Sequence, residues 1–403
     1  MSDITSNKAL LPSGLRDLLP PEAEAEAVCV ATLMGVFSAH GYRRVKPPLI
    51  EFEETLFAGA GGAVSDQSFR LMDPDSHRMM AVRPDITPQI ARIATTRLAE
   101  AARPLRLCYA GECVRVSPGS LSADRQVSQA GIELIGVDTP SADAELILVA
   151  REALAAAGLT QVSFDLTLPS LVPVLLGQAG REEGSLKPLL HALDRKDAAE
   201  VKKQADRIVG PAIADILGDL LLSAGPADGA LAALQRAALP DEAQALAERL
   251  AATVGEIQAS APDLRLTVDP VEFRGFRYHT GICMTVYAPG GGAPGVGQEL
   301  GGGGRYMCQG EAGPESASGL TLYPEAILRA VASKHRPVRV YVPVGANADR
   351  AAALRRQGFV TVAALDGVAG AHASDHFVAA RQQGCVHVLA DSALVAVPDA
   401  LGS

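Results

Sequence analysis

The sequence predicts an α+β chain: a strand-rich core interrupted by a helical insertion, followed by a small α/β unit. Three observations carry this. Residues 105–116 and 129–137 are strand-like runs on either side of a polar loop, SPGSLSADRQVS. Residues 175–260 are rich in Ala, Leu, Glu, Lys and Arg, with apolar residues at helical spacing. Breaks at Gly210-Pro211, Gly225-Pro226 and Pro240 divide that stretch into several short helices. Residues 338–403 alternate strand and helix (VRVYVPVG, ADRAAALRRQG, FVTVAALDG, DHFVAARQQG, CVHVLA), as a small parallel sheet requires. The expected organisation is a core over 1–335 containing the 175–260 insertion, then a domain over 338–403, with Arg336-Pro337 as the linker.

The elements follow in order. EAEAEAVCVATLMGVFSAH after Pro20-Pro21 is a helix, with acids in its first turn and Gly41 beyond its end. Tyr42 to Pro48 is an edge strand stopped by proline. MMAV before Arg83 is a strand, and PQIARIATTRLAE is a helix with Thr87 as its expected N-cap and Pro88 as its first residue. Residues 143–157 form an amphipathic helix ending at Gly158, and Val162, Phe164, Leu166 and Leu168 alternate as in a half-buried strand. LRLTVDP and GICMTVYAP are strands, Gly301–Gly304 marks a turn and close backbone approach, and Tyr323 to His335 is a helix.

Composition excludes several classes. Hydrophobic residues make up 48% and charged residues 20%, which supports a packed core and rules out global disorder. The net charge of −10 gives no global field toward nucleic acid or an anionic membrane. The six cysteines are scattered without a C-x-x-C pair, so neither a zinc ribbon nor a disulfide framework is expected. The N-terminal segment lacks signal-peptide character and no long apolar run spans a membrane, so a cytoplasmic location is expected. Gly290, Gly292 and Gly295 fit G-x-G-x-x-G, but Pro294 lies inside and no helix opens after them, so they do not read as a dinucleotide loop. His372 and His376 lack an acid or cysteine to complete a metal set. No metal or cofactor is expected.

The chemistry lies in polar clusters at element ends. Arg83 and Asp85 stand between a strand and a helix without an obvious structural task. Arg115 follows a strand of Leu, Cys, Tyr and Val. Gln129 and Glu133 share one strand face while Ile132 and Leu134 take the other, and inward polar groups need partners. Arg274, Arg277, Tyr278 and His279 crowd beside a glycine. Together these supply carboxylates for an ammonium group, arginines for a carboxylate, and Tyr, His and Glu for a polar ring: the inventory of an amino-acid pocket.

From Pro12-Ser13-Gly14-Leu15-Arg16-Asp17 to about residue 335, the chain resembles the class II aminoacyl-tRNA synthetases, and histidyl-tRNA synthetase in particular. Five ordered motifs carry the resemblance: Arg83–Thr87, Cys108–Arg115, Gln129–Gly136, Arg274–Gly281 and Gly301–Tyr306. It implies a mixed, mostly antiparallel sheet flanked by helices, in a dimer. The departures are specific. Ser117 stands where the synthetase has an acid that helps hold ATP, and Ala326 where it has an arginine on ATP phosphate, with Pro324 beside it and Arg329 three residues late. Arg277 replaces an acid and His279 a tyrosine. Loss of one preorganised charge contact to a reacting phosphate costs about 10²–10³ in rate, so adenylate formation is not expected. The 338–403 unit is short for an anticodon-binding domain.

That pattern resembles the regulatory-subunit family of ATP phosphoribosyltransferases, synthetase paralogues without ligase activity. The resemblance implies a hetero-octamer with a short catalytic subunit in the first step of histidine biosynthesis. In it this chain activates its partner and lets histidine inhibit it. Carried over by position, Asp85, Thr87 and Gln129 take the amino group, Arg115 and Arg274 lie near the carboxylate, and Glu133, Tyr278, His279 and Tyr306 surround the imidazole. The alternatives are an active histidine–tRNA ligase and a free-standing histidine sensor with another partner. Histidine-dependent pyrophosphate exchange separates the ligase from the regulatory reading.

Overall fold

An alanine- and valine-rich helix with acids in its first turn, α1 (Glu22–Ala39), is the first helix among the described residues and buries Cys29, Leu33 and Phe37. The structure, a computed structural model, describes residues 10–118, 123–177, 183–272, 278–289, 297–311, 313–331, 337–365, 373–390 and 393–398. After α1 come β1 (Arg43–Arg44), β2 (Ile50–Phe52), α2 (Glu53–Leu56), a 3₁₀ segment over Gly59–Gln67, β3 (Arg70–Met72), β4 (Met79–Val82) and α3 (Thr87–Thr95). Next are β5 (Leu105–Val114), β6 (Gln126–Ile135), α4 (Pro140–Ala156) and β7 (Ser163–Thr167). The insertion holds α5 (Leu171–Gly177), α6 (Glu183–Asp194), α7 (Ala198–Val209), α8 (Pro211–Ser223), the short β8 (Gly225–Pro226), α9 (Ala227–Arg236) and α10 (Asp241–Ser260). The first unit closes with β9 (Arg265–Asp269), β10 (His279–Ala288), β11 (Gln298–Gly310), β12 (Gly313–Leu322) and α11 (Pro324–Ala330).

Nine of these strands form one sheet in the order β1-β5-β6-β12-β11-β10-β7-β9-β8. Its pairs are antiparallel except β1 with β5 and β7 with β9, as the resemblance implies. Strand alternation divides the sheet between two environments. On one face Ile132, Leu134, Phe164, Leu166, Met284 and Leu320 pack with α1, α4 and the insertion helices in the main core. On the other, Leu105, Leu107, Tyr109, Cys113, Ile135 and Tyr306 pack with Ile86, Ile90 and Ala94 of the α3 region. β2, β4 and β3 form a separate three-stranded sheet that leads into α3.

The Ser333–Ser403 unit is a four-stranded sheet, β14-β13-β15-β16. Its elements are β13 (Arg339–Val342), α12 (Ala348–Arg356), β14 (Val360–Ala363), α13 (Ala373–Gln382), β15 (His387–Ala390) and β16 (Ala393–Ala396). β13 is parallel to both β14 and β15, as the alternating pattern predicts. The antiparallel β16 is an addition that the pattern did not show. Two small clusters, one with α12 residues and one with α13 residues, form its core.

Several local expectations change. Thr87 is the first helical residue of α3, not its N-cap; Asp85 Oδ1 accepts the Thr87 backbone N–H at 2.8 Å. Gly301–Gly304 is strand rather than turn, although the close approach holds: a Cβ at Gly303 would stand 2.7 Å from the Leu320 Cα. β6 begins at Gln126, taking up polar loop residues whose backbone pairs with β5. α11 stops at Ala330, and the rest of the expected helix to His335 is largely outside the described residues. Gly290, Gly292, Gly295 and His372 are also outside them.

A buried ion network ties the insertion to the sheet. Asp143 of α4 is fully buried; its Oδ1 accepts from Arg305 Nη2 and Ser318 Oγ, both at 2.7 Å, and its Oδ2 from Arg249 Nη2 of α10 at 3.2 Å. Arg305 also donates to the Val137 carbonyl and Ser316 Oγ, and both arginines pair with Asp138. Removing Asp143 leaves the buried Arg305 and the part-buried Arg249 with only the exposed Asp138 as a carboxylate partner. Asp143→Ala should therefore lower unfolding stability by about 3–5 kcal/mol, read by urea unfolding. A loss under 1 kcal/mol would show that the arginines find other partners.

Candidate binding site

A cavity of about 360 Å³ opens on the sheet face opposite the main core. Two cross-strand rows form its floor. One row is Glu133, Gly319, Gly304 and Cys283; the next is Gly131, Thr321, Gly302 and Thr285. Residues paired across strands point to the same side, so glycine at 302, 304 and 319 leaves the volume open. A Cβ at Gly319 would run into the Glu133 carboxyl, and one at Gly304 would stand 2.8 Å from His279 Cδ2.

Glu133 sits at the centre, fully buried. Its Oε2 accepts from Tyr306 OH at 2.8 Å and its Oε1 from Thr87 Oγ1 at 3.0 Å, with Tyr109 OH at 3.5 Å. Tyr109 OH also meets Thr321 Oγ1 at 2.7 Å and Thr87 Oγ1 at 3.2 Å. Desolvation pushes the Glu133 pKa up to about 8, against the opposing pull of the Tyr306 and Thr87 hydroxyls. Tyr278 stacks on His279 at 4.4 Å between ring centroids and meets Tyr306 edge-on at 5.9 Å. Burial lowers the His279 pKa to about 4. Burial thus disfavours charge in the inner half of the cavity, where a carboxyl, an imidazole and phenols offer donors and acceptors for a polar ring.

The outer half carries charge. Asp85 and Glu299 line it together with Tyr323 and Thr285. Arg115 stands just behind, donating from Nε to the Pro84 carbonyl at 3.2 Å and hydrogen-bonded to Tyr323. Burial works against the Arg115 charge, but Tyr323 and Asp85 outweigh it and its pKa is raised.

The structure brings Asp85, Thr87, Glu133, Tyr278, His279 and Tyr306 around this one cavity. It places Gln129 outside the lining: Gln129 Oε1 accepts from the Ile86 backbone N–H at 3.1 Å and from Cys113 Sγ at 3.2 Å, holding the turn before α3. Arg274 lies outside the described residues. Arg83 has a structural task after all, donating to the Glu112, Pro47 and Pro48 carbonyls and to Gln89 Oε1. Tyr109, Thr285, Glu299, Thr321 and Tyr323 escaped the sequence reading. The period-two series Gly319, Thr321, Tyr323 was the signal for two of them. Ala326 is buried in the main core, and Arg329 and Ser117 are exposed. Among the described residues no group of His, Cys, Asp and Glu is placed to hold a metal, and no helix is long and apolar enough to cross a membrane.

Fold and cavity together define a class II synthetase-like protein. The family model described as Histidyl-tRNA synthetase matches residues 14–327. A solved structure from Bacillus halodurans, titled as an ATP phosphoribosyltransferase regulatory subunit/histidyl-tRNA synthetase, superposes with a TM-score of 0.76 at 23% identity, covering 96% of this chain and 99% of that one. Two curated relatives are nearer in sequence, both named ATP phosphoribosyltransferase regulatory subunit. The one from Gluconobacter oxydans is 51% identical over 96% of this chain and 97% of its own length. The one from Paramagnetospirillum magneticum is 49% identical over 98% and 99%. The chain belongs to the family of ATP phosphoribosyltransferase regulatory subunits, built on the histidyl-tRNA synthetase fold. Its role is regulatory rather than catalytic.

The raised Glu133 pKa has a thermodynamic sign. Folding favours the protonated form, so this contribution to stability is full below the unfolded carboxyl pKa of 4.5 and is lost as pH rises toward about 8. Glu133→Gln removes that dependence. The stability of the variant relative to wild type should rise between pH 5 and pH 8, by at most about 1.4 kcal/mol per pH unit, in urea unfolding at each pH. A flat difference would mean that Glu133 is ionised throughout.

Proposed function

We propose that this chain activates a short ATP phosphoribosyltransferase catalytic subunit in the first step of histidine biosynthesis, and that histidine bound in the cavity reverses the activation. One observation supports it above others. An amino-acid-sized polar cavity persists around Glu133, Thr87 and Tyr306, while the position matching the synthetase's phosphate-binding arginine is a buried alanine. In this reading Asp85 takes the α-ammonium group, its Oδ2 being unused by the Thr87 N–H. Thr87 and Gln129 position that end from behind. Arg115, with Arg274, attracts the carboxylate. Glu133, Tyr306, Tyr278 and His279 enclose the imidazole. The working assembly is a cytoplasmic hetero-octamer containing homodimers of this chain, without tRNA.

Regulation is then a coupling free energy between cavity and partner, typically about 1–3 kcal/mol. The test is turnover of a short catalytic subunit, with and without this chain, at zero and saturating histidine. Activation that histidine reverses is the expected result. Activation without histidine sensitivity would move the effector elsewhere. No activation, with histidine-dependent pyrophosphate exchange, would restore the ligase reading. Arg115→Ala and Glu133→Gln should each raise the half-inhibiting histidine concentration about tenfold or more, from a lost charged or buried hydrogen bond, while the complex still copurifies. Failure to assemble would make both residues structural.

A further inference from the structure

The small sheet β2-β4-β3 has one face that the fold leaves uncovered. Residues paired across strands share a side, so Glu51, Arg70 and Ala81 point one way and Ile50, Phe52, Leu71, Met80 and Val82 the other. The first side meets α3: Ala81 is fully buried, and Glu51 accepts from Gln89 Nε2 at 2.7 Å and from Arg92. The second side is entirely apolar, yet none of its five residues is buried and none belongs to the hydrophobic clusters of the chain. Ile50 and Leu71 are 37% and 36% exposed. An antiparallel sheet normally carries polar residues on a solvated face, and a contiguous exposed apolar patch marks a contact surface.

The two ends of this face differ in charge. The hairpin between β3 and β4 carries Asp73 and Asp75. Arg78 of the same hairpin is paired with Glu54 and adds no net charge. At the opposite end the Phe69 carbonyl accepts the Val82 N–H at 2.9 Å, and Arg125 lies over the Phe69 ring at 4.7 Å. Arg125 donates to the Ser13 and Arg115 carbonyls, which leave its charge in place. A two-fold axis normal to the face lays the hairpin end of one copy on the Arg125 end of the other. The apolar centres then meet, and each end finds the opposite charge. The face is complementary to itself. The segment 1–9, MSDITSNKA, offers it only Met1 and Ile4 as large apolar side chains.

We infer that this face is the contact between two copies of this chain, with Ile50, Phe52, Leu71, Met80 and Val82 at its apolar centre. The inference rests on the homodimer of the proposed assembly and gives that dimer a surface. An apolar centre with charges only at its ends is the anatomy of a stable interface.

The test is sedimentation velocity of the full chain over a concentration series. The proteins are wild type, Leu71→Glu, Asp75→Arg, Arg125→Asp and the Asp75→Arg/Arg125→Asp pair, with circular dichroism identifying the folded variants. Leu71→Glu should raise the dimer dissociation constant about tenfold or more, the scale of losing an interface anchor. Each charge reversal should weaken the dimer, and the pair should recover it, a coupling that a merely structural role would not produce. Folded variants that dimerise like wild type would overturn the surface and leave the homodimer standing. A monomeric wild type would overturn both. Weakening by Leu71→Glu without recovery in the charge pair would overturn the two-fold arrangement. An intact Leu71→Glu dimer that no longer copurifies with the catalytic subunit would give the face to that partner and overturn the inference.

Discussion

Two consecutive residues of β11 carry the structure in opposite directions. Strand alternation sends Arg305 to one face of the sheet and Tyr306 to the other. Arg305 meets Asp143 of α4 and, through it, Arg249 of α10, so the helical insertion is anchored by a fully buried carboxylate. Tyr306 meets Glu133 and closes the cavity floor. A register slip of one residue would place a guanidinium in the cavity and a phenol among the ions. The glycines before this pair permit β11 to lie close against β12, which keeps that register.

The polar groups of the Arg83–Thr87 motif divide between building the site and lining it. Arg83 and Gln89 fasten the Pro47-Pro48 segment through its carbonyls. Gln129 reaches across from β6 to the Ile86 N–H. These bonds fix the start of α3, where the Thr87 hydroxyl must point at Glu133 rather than cap its own helix. Asp85 replaces it at the helix start and still lines the cavity. A side chain can thus belong to a binding motif while its main contact is structural.

The cavity is graded in charge. Its inner end is desolvated, which pushes the Glu133 pKa up and the His279 pKa down, whereas its outer end keeps Asp85 and Glu299 with Arg115 behind. A ligand with a neutral polar ring and a zwitterionic end matches that gradient. Desolvation sets the inner half, because it disfavours charge of either sign.

The sequence by itself determined the order of elements, the helical insertion, the parallel grammar of the last unit and the shared face of Gln129 and Glu133. Each is a local matter of periodicity or of glycine and proline placement. Its ordered motifs also determined the family. Only the tertiary structure decided which polar residues line the cavity. Arg83 and Gln129 look as available as Asp85 in the sequence, and their partners are carbonyls and an N–H from distant segments. It also decided that Gly301–Gly304 runs as strand, because the flanking strands β10 and β12 supply the ladder partners that turn propensity cannot foresee. Thr321 and Glu299 became visible for the same reason: strand pairing between residues far apart in the chain brings them to one cavity.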